Sequence, residues 1–383
     1  MITTSILELN KKALKNNITF IRKLIGKQVK ISSVVKGNAY GHGIEQFVPM
    51  AEEAGIDHFS VFSADEAARV KDVLSDDSEI MIMGFIDNSD IRWAIDENIQ
   101  YWVFDFDRLH HTFIEAKQAG KAAKIHIEIE TGFNRTGFDE NEIDDLLHLL
   151  SDHRDKFILE GICTHFAGAE SIANYYRIQK QAKLFHKLLK KFHLNNLIPA
   201  TIHSASSASA VSYPKTRMNM VRIGILQYGF WPSKETFINF LHKRVDKHDP
   251  LHRIISWKSK IMNVKSVRTG EFIGYGTSYL AQRDTKVAIV PVGYAQGFSR
   301  SLSNLGRALV KEQRVAVIGL VNMNHLIIDV TDVPDVKKND EVVLIGKQGE
   351  LSISVSSFSE LSDQLNYESL TRLPGNIPRI IRN

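Results

Sequence analysis

Between residues 29 and 223, apolar runs of strand length alternate with stretches whose apolar residues recur every three to four positions. The strand-like runs lie at 29–35, 58–63, 79–85, 100–104, 124–130, 158–164, 200–204 and 219–223. They are apolar runs more than alternators, the pattern of parallel strands covered on both faces. Between them run helical stripes such as Ile44, Phe47, Val48 and Ala51, or Ala67, Val70, Val73 and Leu74. The longest helical stretch, 172–192, is basic outside, with Leu184, Leu188 and Leu189 on its inner face. Eight strands alternating with helices match one (β/α)8 TIM-like barrel. A doubly wound open sheet is the competing arrangement, and no Gly-x-Gly-x-x-Gly follows the first strand to favour it. Ahead of the series, residues 5–9 read as a further strand, and Asn10 caps a helix to about Ile25.

The pattern changes after Gly229. Residues 231–253 are polar and basic and read as a connector. Its His242, His248 and His252 lack regular ligand spacing, so a solvated linker is expected there and no metal site. Beyond it, runs at 254–267, 271–275, 286–292, 308–317, 324–330 and 341–345 read as strands separated by turn residues, with a short helix at 356–365. The expected organisation is an α/β barrel over 1–240 and a C-terminal all-β domain over 241–383. The first strand is free to pair with either.

Composition excludes several classes. The net charge of +4 is spread along 383 residues and makes no case for nucleic acid. No apolar run approaches membrane-spanning length. The first residues lack a basic region followed by an apolar core, so no signal peptide is expected. The single cysteine, Cys163, permits no intrachain disulfide and fits a reducing cytoplasm. Within its apolar run it reads as a small buried hydrophobe and not a nucleophile.

Chemistry in such barrels gathers at the C-terminal ends of the strands. There Val34-Val35 ends abruptly in Lys36, followed by a loop with three glycines. Burying an ammonium is costly, and a desolvated lysine loses its proton and can form a Schiff base. On this stretch alone, a carbonyl anchor and a snorkelling side chain are both open. Arg135, His165, His203 and Arg222 fall at the ends of later strands. Each has an ordinary reading as a loop charge or a satisfied core group, but they converge on one face. After strands 7 and 8, where such barrels hold phosphate, Ser206-Ser207-Ala208 opens a helix and Arg222-Ile223-Gly224-Ile225 offers backbone donors. An amine at strand 1 and a phosphate cradle at strands 7–8 suggest pyridoxal 5′-phosphate, PLP.

With these residues in hand, the chain resembles the alanine racemases, PLP enzymes with a barrel and a C-terminal β domain. The resemblance runs from the first strand to Arg379. It rests on Val34-Val35-Lys36-Gly37-Asn38-Ala39-Tyr40-Gly41-His42-Gly43, Val221-Arg222-Ile223-Gly224-Ile225, Gly274-Tyr275-Gly276 and Gly293-Tyr294-Ala295. It implies that Lys36 carries PLP and is one catalytic base, and that Tyr275 of a partner subunit in a homodimer is the other. Arg222 would face the pyridine nitrogen. Tyr40, Ser207, Gly224, Ile225 and Tyr367 would hold the phosphate. Arg135 and Met323 would meet the substrate carboxylate, with Tyr294 at the entrance. His165 and His203 would belong to a network linking Tyr275 and Arg222. The implied reaction interconverts L- and D-alanine, supplying D-alanine for bacterial peptidoglycan. Two bases suit racemisation, because the proton leaves one face of the α-carbon and returns to the other.

Some positions depart from the family pattern. Ala205-Ser206-Ser207-Ala208 stands where the family has Ala-Asn-Ser-Ala, Gln296 and Phe298 alter the Gly293 motif, and Asn322 and Asn324 replace a cysteine and an aspartate. These bear on the substrate more than the reaction. A racemase of another small amino acid, such as serine, is the alternative. A PLP-dependent decarboxylase of similar plan would carry an acid in place of Arg222. Glu128 stands where some relatives carry a carbamylated lysine, and it is expected to pair with Arg135 directly.

Overall fold

The protein is described by a computed structural model covering residues 3–75, 77–242, 244–355 and 366–383. The helix expected at 356–365 lies outside these. The chain forms two compact units: a barrel unit of Leu14–Lys36 and Phe47–His252, and a β unit of Met1–Ala13, Gly37–Gln46 and Arg253–Asn383.

Numbered along the chain, β1 (Ser5–Asn10) belongs to the β unit. The barrel unit holds β2 (Lys30–Val34), β3 (His58–Ser63), β4 (Glu79–Phe85), β5 (Gln100–Val103), β6 (Ala123–Glu128), β7 (Phe157–Cys163), β8 (Thr201–His203) and β9 (Met220–Ile223). These form one parallel sheet in the order β8-β7-β6-β5-β4-β3-β2-β9. Each strand lies beside the next in sequence, and β9 returns beside β2, as a (β/α)8 barrel requires. Past the end of β8, Arg222 N donates to Ala205 O at 2.9 Å and carries the ring across from β8 to β9. Strands β5 and β9 are buried at every residue, because helices cover the outside and side chains fill the inside. Met81, Trp102, Cys163 and Met220 cluster together. Burial pushes the Cys163 thiol well up, so it stays an inert thiol.

The longest helix is Tyr175–Leu194, preceded by a 3-10 turn at Ile172–Asn174. It buries Ile178, Phe185, Leu188, Leu189 and Phe192, while the expected Leu184 is only half-buried. The stretch expected as an irregular connector contains a helix, Lys234–His242. Its Phe240 packs edge-on against Phe20 at 5.4 Å and against Trp231 at 4.8 Å. Aromatic side chains spaced three apart supply a buried face that the surrounding charges obscure.

In the β unit follow β10 (Ile255–Lys260), β11 (Asn263–Val267), β12 (Thr285–Val290), β13 (Arg307–Val310), β14 (Gln313–Ala316), β15 (Leu326–Asp329), β16 (Glu341–Gln348), β17 (Leu351–Ile353) and β18 (Arg379–Arg382). One sheet runs β14-β13-β16-β10-β1-β18 with β17 on β16, and a second runs β11-β12-β15. The first strand thus joins the β unit, antiparallel to β10 and parallel to β18. The expected run 254–267 divides between the two sheets. The run 308–317 is a hairpin that turns at Lys311 and Glu312, both at positive φ. The expected strand at 271–275 does not form. A single bridge joins Phe272 to Leu280, and Gly274 and Gly276, at φ 78 and 64, turn the chain on either side of Tyr275.

Candidate active site

In the barrel unit, Lys36 is the second residue past β2. The preceding amide, Val35 N, donates to Ser60 O at 2.8 Å, which fixes the exit of the strand. The Lys36 side chain is exposed in part, yet surrounding protein displaces water from its amine. That desolvation holds its pKa below the usual lysine value, helped by the positive charges of Arg135 and Arg222 and opposed by Glu66.

Arg222 lies on β9, opposite Ser32 of the neighbouring β2. It is buried, and its two terminal nitrogens are committed to acceptors. Nη1 meets the His203 ring at Nδ1 and the His203 carbonyl, the latter at 2.9 Å; Nη2 meets Thr164 O at 2.9 Å and His165 Nδ1 at 3.3 Å. Burial and these cations press His165 down to about 3 and keep His203 well below the usual histidine range, so both rings are neutral. Beyond β9, Gly224 N donates to Ser207 Oγ at 3.0 Å, joining the first residue of the helix Ser207–Ser212 to the loop that carries buried Ile225. A hydroxyl and a turn of backbone thus sit together at the ends of β8 and β9.

Arg135 lies in the loop after β6, its guanidinium 4.4 Å from the Phe133 ring centroid. Glu130, which the sequence reading passed over, organises this loop. Its carboxylate accepts from Gly132 N, from Phe133 N at 2.7 Å, from Asn134 N at 2.8 Å and from Arg135 N at 3.3 Å. An acid immediately ahead of the Thr131-Gly132 step was the available signal. Gly137 permits the close approach, since a Cβ there would lie 2.6 Å from Glu130 N. The direct Glu128–Arg135 pair expected from sequence does not form. Glu128 is buried with its Oε2 unpartnered, and that burial raises its pKa although Thr136, Arg222 and Arg135 oppose the rise. The side chain ends β6 facing the tightly packed interior, beside Cys163 of β7, while Arg135 turns onto Phe133.

The β unit carries the other expected residues. Residues 37–40 form a left-handed turn, with Asn38, Ala39 and Tyr40 at φ 55, 53 and 52. L-residues adopt this only at a cost of about 1 kcal/mol or more each, a strain that structures keep at special positions. Asn38 Oδ1 accepts from Ile44 N, and Arg379 donates to the Gly41 carbonyl at 2.9 Å, which secure the turn. Tyr40 and Tyr367 meet edge-on, their rings 6.4 Å apart. Burial, then the neighbouring Tyr367, raises the Tyr40 pKa, so its hydroxyl stays a donor. Tyr275 is 69% exposed. Tyr294 opens a 3-10 turn and Met323 lies in a facing loop, the two joined by Tyr294 N to Asn322 O and Ala295 N to Met323 O, at 3.0 and 2.9 Å. The Asn322 side chain turns to His325 at 2.7 Å, away from solvent. Among the described residues no group of histidines, cysteines and acids is placed to hold a metal ion, and no helix is long and apolar enough to cross a membrane.

Residues 9–232 match the family model described as "Alanine racemase, N-terminal domain", and residues 254–381 match "Alanine racemase, C-terminal domain". An alanine racemase of Leptospira interrogans is 35% identical over 99% of this chain and 96% of its own. The crystal structure of the Bacillus anthracis alanine racemase with bound L-Ala-P superposes with a TM-score of 0.90, at 30% identity, over 100% of this chain and 96% of that one. The Bartonella henselae alanine racemase, solved with covalently bound pyridoxal phosphate, shares the fold at a TM-score of 0.85 and 23% identity over 100% of both chains.

Proposed function

The chain belongs to the alanine racemase family of isomerases, and on that premise we propose that it interconverts L- and D-alanine by a two-base proton transfer with PLP as cofactor. Members of this family depend on PLP. The residues of the barrel unit fit that group: an amine of lowered pKa beyond β2, and at the ends of β8 and β9 a serine hydroxyl and a backbone amide 3.0 Å apart. Lys36 would hold the aldehyde carbon, Ser207, Gly224 and Ile225 the phosphate, and Arg222 the pyridine nitrogen, with His165 beside it. When bound, PLP draws electron density from the α-carbon of an attached amino acid and renders its proton acidic.

The chain's own groups do the rest. Lys36, once its amine is free, takes or returns the α-proton on one face. Tyr275 of a second copy of the chain acts on the other. Arg135, its loop tied by Glu130, receives the substrate carboxylate. Arg222, which has donors and no proton acceptor, would face the ring nitrogen and would disfavour its protonation, restraining side reactions that need a stronger electron sink. For the β unit we propose Tyr40 and Tyr367 as phosphate donors, Met323 as a substrate contact and Tyr294 as an entrance residue. We place the activity in the cytoplasm, where D-alanine is needed for peptidoglycan precursors.

Lys36 carries this reading: it is a lysine at a strand end, in surroundings that favour its neutral form. The test is incubation of the purified protein with single L-amino acids in D2O, followed by separation of enantiomers. α-Deuterated D-alanine is expected. Preferred turnover of serine would move the assignment to the alternative substrate, to which Asn322, Asn324 and Ser206 draw notice. No turnover of any amino acid would sink it.

A further inference from the structure

A continuous line of polar side chains runs through the interior of the barrel, and the chemistry proposed above leaves most of it unused. It starts at Arg222 and leads away from the strand ends that carry Lys36. Arg222 donates to His203 Nδ1. His203 Nε2 lies 2.9 Å from His126 Nδ1, and His126 Nε2 lies 2.8 Å from Gln100 Oε1. The same Gln100 oxygen lies 3.2 Å from His58 Nε2, and His58 Nδ1 lies 2.9 Å from Ser32 Oγ, which meets Ser60. At the far end, Gln100 Nε2 donates to Glu79 Oε1 at 3.1 Å, and Glu79 pairs with Lys30. His58, Glu79 and Gln100 each open their strand, so the line spans the barrel from the N-terminal strand ends to Arg222.

Only one assignment of protons satisfies every link. Arg222 has donors alone, so His203 Nδ1 must present a lone pair. His203 is then neutral with its proton on Nε2, which it donates to His126 Nδ1. His126 must likewise be neutral and protonated on Nε2, and it donates to the Gln100 carbonyl. The Gln100 oxygen only accepts, so His58 too carries its proton on Nε2 and donates it to that oxygen, and the Ser32 hydroxyl donates to the bare His58 Nδ1. Reversing the Gln100 amide fails at both ends. Its oxygen would then face the Glu79 carboxylate. Its NH2 would require lone pairs on both Nε2 atoms, which would force His203 to point an N–H at Arg222. The charge on Glu79 therefore aims the amide, and the amide sets the rings. Burial keeps all three rings neutral, with His58 at about 4 and His126 and His203 well below the usual range. Gly161 on β7 makes the room: a Cβ there would lie 2.1 Å from His126 Nδ1. Buried polar lines of this kind are tolerated only when every member is satisfied.

We propose that Gln100 is a positioning residue for Arg222: its side-chain carbonyl, aimed by Glu79, holds His126 and His203 in the Nε2-protonated form, so that His203 always presents a lone pair to the guanidinium. A flipped His203 would set donor against donor and push Arg222 from its place. The catalytic consequence rests on the racemase reading; the tautomers do not.

The experiment uses the holoenzyme labelled with 15N-histidine and reads the ring nitrogens by NMR. His58, His126 and His203 are expected in the Nε2–H form. In Gln100→Met, which keeps the side-chain volume and removes the carbonyl acceptor, His126 and His203 should show a share of the Nδ1–H tautomer. In that variant kcat for alanine should fall about tenfold, the scale of an outer-shell loss, with KM little changed. If Gln100→Met does not fold, Glu79→Gln, at the half-exposed rim, is read in the same way. Nδ1–H or imidazolium rings in the unaltered protein would overturn the proposal, as would variant rings identical to the wild type. Rings as expected in a protein that racemises nothing would leave the tautomer assignment standing and remove the racemase reading.

Discussion

Arg222 donates to His203 twice from one nitrogen, to the ring Nδ1 and to the main-chain carbonyl. A cation that shares an N–H with an imidazole nitrogen requires that nitrogen to be bare, so the pair is stable only while the ring is neutral. The ring belongs to a set. His42, His58, His126, His165 and His203 are all held below the ordinary histidine range, first of all by burial.

This set makes the fold sensitive to mild acid. In the unfolded chain a histidine takes up its proton near pH 6.5, whereas His42 and His58 in the fold wait until about pH 4 and His165 until about pH 3. A depressed folded value means full stability above the unfolded pKa and progressive loss as pH falls toward the folded one. Each such ring removes up to about 2 kcal/mol by pH 5. The urea midpoint at pH 5 should therefore lie well below that at pH 7, with His58→Gln flattening the difference. Equal midpoints at the two pH values would contradict the burial of neutral rings.

The lowered pKa of Lys36 has its own consequence. A larger share of neutral amine at a given pH lets it condense with an aldehyde at lower pH than an ordinary lysine. Treatment of the cofactor-stripped protein with PLP and borohydride near neutral pH should label Lys36 before any other lysine, read by peptide mass spectrometry. Lys36→Ala should lose that adduct and the visible absorption of the holoenzyme. Labelling spread evenly over surface lysines would remove Lys36 from the site.

Glu128 is a buried carboxyl whose pKa is raised by burial and whose Oε2 meets no donor. With a raised folded value, its favourable contribution exists at low pH and disappears as pH climbs through that value. Glu128→Gln keeps the shape and cannot ionise. The variant should be at least as stable as the parent near pH 8 and no more stable near pH 4. KM for alanine should stay near the parent's, because no ion pair to Arg135 is lost. A clear rise in KM would show that Arg135 leaves Phe133 for Glu128 when substrate binds.

The barrel was legible because eight apolar runs carry the period of buried parallel strands, and Lys36 and Arg222 because a cation at the end of such a run is costly without a task. The Lys234–His242 helix was hidden because only its aromatic residues repeat, amid charges. The turn bearing Tyr275 passed for a strand since Phe272 and Ile273 are strand formers; Gly274 and Gly276 decide the matter through positive φ. Glu130, Gln100, His126 and His58 were missed for another reason. Their meaning lies in which partner each meets across the barrel, and neither spacing nor composition encodes that. The same limit explains the error over Glu128 and Arg135: the match to a carbamylated lysine of some relatives suggested a pair that burial and the Phe133 ring prevent.

The final prediction concerns Tyr275, which is 69% exposed in the single chain, an unusual setting for a catalytic base. The proposal resolves this by placing it in the active site of a second copy. A two-fold dimer then holds two equivalent composite sites. Lys36→Ala and Tyr275→Phe should each be nearly inactive, since each lacks one base. Mixed under conditions that let subunits exchange, they form hybrid dimers in which one site carries both defects and the other carries none. The intact site joins Lys36 of the tyrosine variant to Tyr275 of the lysine variant. With random exchange, half the dimers are hybrids and half their sites are whole, so activity should return to roughly a quarter of wild type. Sites built within one chain cannot be restored by mixing. Native mass spectrometry should therefore verify exchange first, and exchanged subunits without recovered activity would show that Tyr275 does not serve the partner's site.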